Sequence, residues 1–333
     1  RGLGDVYKRQ GRGHTAVRIL EDIAAVSKSA LGTRLGAWIA LARPAFHSVA
    51  VLPFVLGTVV AWRTAHAFRW PILAWGVAGV VLILLATYFA GEYWDVEEDT
   101  LSGQRGPSRF AGGSQVVQRG LLPRQAPLYG SLLCLGLAVG VGLLLQFGYG
   151  TGGWTLPLGL LGALGGFFYS SRPVRWVRLG WGELWIAFCY GWLPVAVGCY
   201  LQAASLPPVV HWLALPIGWS ILNVILLNEF PDYPADLQAG KANLAVRLGL
   251  EKAARLYVLV AVVTWVIFAL SLVRGAPRLA AVLALPAMAA SVWVTLRMQR
   301  ARWRDRSALE QMCAANLAVN LGLTAAYILG YVW

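Results

Sequence analysis

Long apolar runs separated by shorter polar segments set the pattern of this chain. Nine stretches of about 18 or more predominantly apolar residues lie near 37–62, 70–91, 126–147, 152–170, 181–201, 208–228, 253–273, 277–296 and 311–333. Each is long enough to cross a hydrocarbon core of roughly 30 Å as a helix. Backbone groups in lipid must be satisfied within the spanning segment, so the pattern predicts an all-α polytopic membrane protein of about nine transmembrane helices. The fourth run is short and several carry Gly or Pro, which neighbouring helices can accommodate. Two polar segments, 92–125 and 229–252, are long and fall on the same side of the predicted bundle. The working surface is therefore expected on that side.

The first ten residues, RGLGDVYKRQ, match nothing that follows in character, are expected to be a sequence artefact and are set aside. Within 14–36 the apolar positions Ile19, Leu20, Ile23, Ala24 and Leu31 recur at helical spacing among charges, as in an interfacial helix. The expected organisation is an N-terminal cytoplasmic tail, 1–36, followed by a transmembrane domain, 37–333. No cleavable signal peptide is recognisable, so the first span is expected to remain as an anchor.

Composition agrees with this pattern, since 58% of the residues are hydrophobic and 13% charged. A net charge of +13 would point to nucleic acid in a soluble protein. Here only Arg63, Arg69, Arg274 and Arg278 of the 28 cations fall on the side opposite the N-terminus. The positive-inside rule therefore accounts for the charge without nucleic acid and puts the N-terminus and long loops in the cytoplasm. Sixteen tryptophans, with Trp62, Trp70, Trp154, Trp181 and Trp333 near run ends, suit interfacial belts. Cys134, Cys189, Cys199 and Cys313 lie inside apolar runs without metal-ligand spacing, and His47 and His211 read as packed or interfacial.

The acids carry the chemistry. Eight of the fifteen fall in two short windows, GEYWDVEED at 91–99 and NEFPDYPAD at 228–236. Both read Glu, aromatic, any residue, Asp, three residues, Asp, which marks an internal repeat at the ends of the second and sixth runs. On a helix, Glu92, Asp95 and Asp99 share one face. Pro231 and Pro234 make a regular helix less secure in the second window, and with it the shared face of Asp232 and Asp236. Solvated helix caps are the alternative for either window alone, but caps need no common template. Arg105 and Arg109 follow the first window and Lys241 and Arg247 the second. Carboxylates, a divalent cation such as Mg²⁺ and flanking cations are what a departing diphosphate needs. At a membrane, a diphosphate implies an isoprenoid whose tail lies between the spans.

These residues resemble the UbiA superfamily of intramembrane prenyltransferases. NEFPDYPADLQAGKANLAVRLG (228–249) resembles that family's second aspartate-rich motif, EYWDVEED its first, FYSSRPVRWVRLGWGE (168–183) its Tyr-x-x-x-Pro loop running into Gly-x-Gly-Glu, and LARPAF (41–46) the Arg-Pro opening of its first helix. One departure is Gly91, where the family's first motif usually opens with Asn. The resemblance implies a UbiA-type bundle and polyprenyl transfer from a polyprenyl diphosphate to an aromatic acceptor. It implies Mg²⁺ on Asp95, Asp99, Asp232 and Asp236, supported by Glu92, Asn228 and Glu229. Arg43, Arg109, Lys241 and Arg247 would neutralise the diphosphate, and Tyr169 or Tyr233 would face the allylic cation. Glu183 reads as a helix cap or a functional acid. Positive-inside anchoring accounts for Arg172, Arg175 and Arg178.

The segment GQRGPSRFAGGSQVVQRGLLP (103–123) departs from the Arg-rich segment of 4-hydroxybenzoate and haem O enzymes. It is more similar to the prenyltransferases that act on 1,4-dihydroxy-2-naphthoate in menaquinone biosynthesis. The alternatives are 4-hydroxybenzoate, a chlorophyll-type ring or a glycerol-phosphate ether lipid as acceptor, and, more remotely, an ion-coupled transporter. Expected localisation is a bacterial or archaeal cell membrane, with the active site on the cytoplasmic side.

Overall fold

A computed structural model describes residues 32–104, 108 and 110–333. Residues 1–10, most of the interfacial helix expected over 14–36, Arg105 and Arg109 lie outside the described residues. Helix α1 (32–42) ends at Arg43, whose φ of 47° is left-handed. Pro44 disfavours αR backbone in the residue before it, so the apolar run that starts near 37 bends there. A single 3₁₀ turn, Pro44–Phe46, leads into α2 (Ser48–Ala65).

The remaining helices follow the apolar pattern. They are α3 (Trp70–Trp94), α4 (Val96–Gln104), α5 (Ala126–Gly148), α6 (Thr155–Ser170), α7 (Gly182–Ala203), α8 (Val209–Gln238), α9 (Leu244–Leu248), α10 (Leu250–Val273), α11 (Leu279–Leu283), α12 (Leu285–Gln299) and α13 (Arg306–Val332). Among the described residues seven of these are long and apolar enough to cross a membrane. The run at 152–170 gives a 16-residue helix, and the run at 277–296 is divided at Ala284, just ahead of Pro286. Proline in a first turn costs no hydrogen bond, so a restart is tolerated there.

Close packing sets how the bundle is held. A Cβ on Gly57 would meet the carbonyl oxygen of Val195, and one on Gly198 that of Phe54, so α2 and α7 cross backbone to backbone. Thr58 Oγ1 donates to Gly198 O across this contact at 3.4 Å. Between α8, α10 and α13 the ties are polar: Asn223 Nδ2 donates to Tyr257 O at 3.2 Å, Tyr257 OH to Asn316 Oδ1 at 2.8 Å, and Asn320 Nδ2 to Ser220 Oγ at 2.6 Å. Interhelical bonds of this kind average about 0.6 kcal/mol in a membrane protein. Together they fix the long helix α8.

Trp62, Trp70, Trp154, Trp181 and Trp333 are all exposed, as interfacial residues are. His47 lies against the Ala42 carbonyl at 2.8 Å, and His211 Nδ1 accepts from Trp192 Nε1 at 2.9 Å.

Candidate active site

Both acidic windows open onto one cavity of about 240 Å³. Asp95 and Asp99 come from the junction of α3 and α4, Asp232 and Asp236 from the end of α8, and Lys241 and Asn243 from the segment behind it. The backbone reverses the sequence expectation about which window is regular. Helix α8 runs without interruption through Pro231 and Pro234 to Gln238. Asn228, Asp232 and Asp236 therefore stand on one face, each about 6 Å along the axis from the next. The first window instead breaks at Asp95, which caps α3, although Asp95 N–H still bonds to Gly91 O and Asp99 N–H to Asp95 O at 2.9 Å.

Each acid is held by partners from elsewhere in the chain. Asp95 accepts from Arg175 Nη2 at 2.9 Å and from Ser170 Oγ. Asp232 accepts from Ser102 Oγ and from Gly112 N–H at 2.9 Å. Asp236 accepts from Lys241 Nζ at 3.2 Å and Asn243 Nδ2 at 2.7 Å. Glu92, only 2% exposed, accepts from Ser114 N–H, Ser114 Oγ and Arg43 Nη2 at 2.7, 2.8 and 3.2 Å. The segment 110–114, FAGGS, thus ties the two windows together, with Gly112 on Asp232 and Ser114 on Glu92. Gly112 and Gly113 have φ of 79° and 66°, a backbone that L side chains rarely adopt. A Cβ on Gly113 would also strike the Asp99 carboxylate.

The charge balance is acid-rich. Burial, and then the Glu92 and Asp95 carboxylates, push the Asp99 carboxyl well above its ordinary range. Asp95 is raised too, mainly by burial, against the pull of Lys241 and Ser170. Among the described residues no three His, Cys, Asp or Glu side chains converge as a closed metal cage. Mg²⁺ does not need such a cage, since it is usually held by one or two carboxylates together with substrate phosphates and waters. The donor set of Asp95, Asp99, Asp232 and Asp236 fits that mode.

Two of the acids expected to support metal do other work. Glu229 follows Asn228 by one position, so it is turned about 100° away from the Asp232 face. Its Oε2 accepts from Ala245 N–H at 3.0 Å. Glu183, at the start of α7, accepts from Leu244 N–H at 2.8 Å, and Asn243 Oδ1 takes Val246 N–H at 2.9 Å. The first three amides of α9 are therefore each satisfied by a side chain from a different element. This clamp holds the segment that carries Lys241 and Asn243. Glu92 likewise serves Ser114 and Arg43.

A second cavity of about 120 Å³ adjoins the first through Thr87, Ile186 and Tyr190. It runs between α3, α5, α6 and α7, and its walls are apolar and rich in glycine, including Gly79, Gly142, Gly159 and Gly162. The ionic chamber thus leads into a greasy one.

Of the predicted site residues, Arg43, Glu92, Asp95, Asp99, Tyr169, Asn228, Glu229, Asp232, Asp236 and Lys241 all line the ionic cavity. Arg247 does not: it is exposed, and its Nε donates to Ala242 O at 2.7 Å. Tyr233 packs against the core around Phe230, Met298 and Trp303 instead. Tyr88 and Tyr190, which do line the cavity, escaped the sequence reading, although Tyr88 precedes Glu92 by one helical turn. Arg175 was read as an anchor, yet it bridges Asp95 and Glu98 with a side chain only 12% exposed.

Comparison with known proteins agrees with this geometry. The family model described as "UbiA prenyltransferase family" matches residues 50–318. A 1,4-dihydroxy-2-naphthoate octaprenyltransferase from Mycobacterium tuberculosis is 30% identical over 221 residues, which are 66% of this chain and 72% of that relative. The bacteriochlorophyll synthase 33 kDa chain of Cereibacter sphaeroides is 29% identical over 191 residues, 56% of this chain and 58% of that one. Among solved structures, a UbiA homologue from Archaeoglobus fulgidus bound to GPP and Mg²⁺ superposes with a TM-score of 0.65 at 16% identity, covering 88% of this chain and 99% of that one. Two matched acidic windows closing one cavity in an all-helical membrane bundle, together with these likenesses, establish that the chain belongs to the UbiA prenyltransferase family and is a prenyltransferase.

Proposed function

We propose that the chain transfers a polyprenyl group from a polyprenyl diphosphate to 1,4-dihydroxy-2-naphthoate at the cytoplasmic face of a cell membrane, a step of menaquinone biosynthesis. The observation that carries the reading is the junction of an ionic chamber with an apolar one, which matches a ligand with an anionic head and a greasy tail. Relatives named for that naphthoate support the acceptor. Family membership displaces the transporter alternative.

The roles follow from position. Lys241 and Arg175 bring fixed positive charge beside the acids, where a diphosphate head would sit. Bound to Asp95, Asp99, Asp232 and Asp236, Mg²⁺ would supply the charge neutralisation that lets the diphosphate leave as an anion. Asn228 lines the same wall. The allylic C–O bond breaks with its electron pair leaving on the diphosphate, and the aromatic faces of Tyr88, Tyr169 and Tyr190 meet the cation that remains. The acceptor's carboxylate-bearing carbon then forms the new C–C bond, and the carboxylate departs as carbon dioxide, returning its electrons to the ring. The apolar walls keep water from the cation.

The test is an acceptor panel with purified protein, Mg²⁺ and a polyprenyl diphosphate: 1,4-dihydroxy-2-naphthoate, 4-hydroxybenzoate, a chlorophyllide-type ring and a glycerol-phosphate ether lipid. Prenylated naphthoquinol as the main product supports the reading. Turnover of another acceptor with none of the naphthoate contradicts it and leaves only the family's chemistry.

A further inference from the structure

A third cavity, also about 240 Å³, lies at the corner between α1 and α2. Its walls include Ala40, Arg43, Ala45, Phe46, Phe110 and Ser114. It shares Arg43, Phe46, Phe110, Ala111 and Gly113 with the ionic cavity, so the two meet along one wall. Pro44 and Ala45 are exposed, and the chamber therefore opens outward at the end of the bundle that carries the acids.

Three features of this chamber point to one kind of ligand. Arg43 is held in left-handed backbone at φ 47° and ψ 55°. Its guanidinium is anchored on one side by Glu92, which Ser114 fixes in turn, yet 32% of the side chain remains exposed. A cation is thus presented with donors to spare. Phe46 and Phe110 meet edge to face, with ring centroids 6.5 Å apart, at the boundary of the two chambers. Such rings offer faces and edges to a further planar ring.

We propose that this corner chamber seats the acceptor as a planar aromatic carboxylate, with its carboxylate on Arg43 and its ring against Phe46 and Phe110. The inference rests on the prenyl-transfer reading given above and deepens it. The ionic chamber adjoins the glycine-lined chamber on one wall and the corner chamber on another, and the reaction has three parts to place. The acids and Lys241 suit the diphosphate, the glycine-lined chamber suits the tail, and the arginine beside two phenyl rings, on the wall that the corner chamber shares with the ionic one, suits a planar anion. It assigns Arg43, expected from the sequence on the diphosphate, to the other substrate.

Isothermal titration of the detergent-purified full chain tests this without turnover. The probes are 1-hydroxy-2-naphthoate, 1-naphthol as the analogue without a carboxylate, and inorganic pyrophosphate with Mg²⁺ for the ionic chamber. The wild-type chain should bind the acid at least about tenfold more tightly than the naphthol, as for a charge-assisted bond to carboxylate. Arg43→Gln should erase that preference. Phe46→Leu and Phe110→Leu, which keep an apolar side chain, should weaken both aromatic probes by about threefold to tenfold and leave pyrophosphate within about twofold. The seat is overturned if the acid fails to bind, if pyrophosphate displaces it competitively, or if the phenylalanine variants weaken pyrophosphate and not the acid. The acceptor panel judges the underlying reading separately, because it scores product formed by the unaltered chain.

Discussion

Replacing Glu183 by alanine should cripple donor use although Glu183 does not line the ionic cavity. Its Oε1 accepts Leu244 N–H at 2.8 Å, and the side chain is 2% exposed, so alanine leaves a buried amide without a partner. An orphaned donor of this kind costs about 1–3 kcal/mol. The loss falls on the first turn of α9, which Glu229 and Asn243 also cap, and Asn243 is one of the two donors to Asp236. With that cost felt in placing Lys241 and Asn243, kcat/KM for the diphosphate donor should fall about fivefold to 150-fold, since 1.4 kcal/mol is tenfold. Glu183→Gln retains a carbonyl oxygen for Leu244 N–H and should recover most of the loss. The assay is Mg²⁺-dependent pyrophosphate release with each substrate varied in turn. KM for the donor should rise in the alanine variant while KM for the acceptor stays within about twofold. Equal behaviour of the alanine and glutamine variants, or a loss confined to the acceptor, would refute the clamp.

Other substitutions probe the loop and the tail chamber. Gly113→Ala forces a Cβ into a backbone at φ 66° and against the Asp99 carboxylate, and should destabilise by about 1–3 kcal/mol, read as a lower Tm in detergent. An unchanged Tm with unchanged activity would show that the loop is free to move. Gly162→Phe places a ring between Leu193 and Ile83, where a Cβ already lies 3.4 and 3.9 Å from them. Turnover of long polyprenyl diphosphates should fall at least about tenfold while geranyl diphosphate is still used, each buried methylene being worth about 0.8 kcal/mol. Equal loss for both donor lengths would remove the tail from this chamber.

The sequence read most legibly where physics is periodic. Hydrophobic run length located the seven described helices long enough to cross a membrane, and the repeated Glu-aromatic-x-Asp-x-x-x-Asp spacing picked out the acids that meet across the bundle. It misled at Asp95 and at Pro231, because a helix end depends on what receives its last carbonyls, whereas prolines within a long packed helix are tolerated when neighbours hold it. The work of Glu229 was visible only as a phase: one residue on from Asn228, it had to face elsewhere. Arg175, Gly112 and Gly113 were illegible because their partners, Asp95, Asp232 and Asp99, are distant in the chain. Tyr88 and Tyr190 hid among many membrane aromatics, since apolar periodicity cannot separate a cavity wall from a lipid face.

Binding of a non-reactive geranyl thiolodiphosphate reads out whether the two acidic windows form one Mg²⁺-dependent diphosphate site. Titrated into the wild-type chain, it should bind with Mg²⁺ and lose most of its affinity in EDTA. Asp95→Ala and Asp232→Ala, which keep the fold by thermal unfolding, should each weaken it by more than the about 10–100-fold typical of outer-shell partners. Tight binding without the metal, or full affinity in either variant, would mean that the two windows do not form such a site.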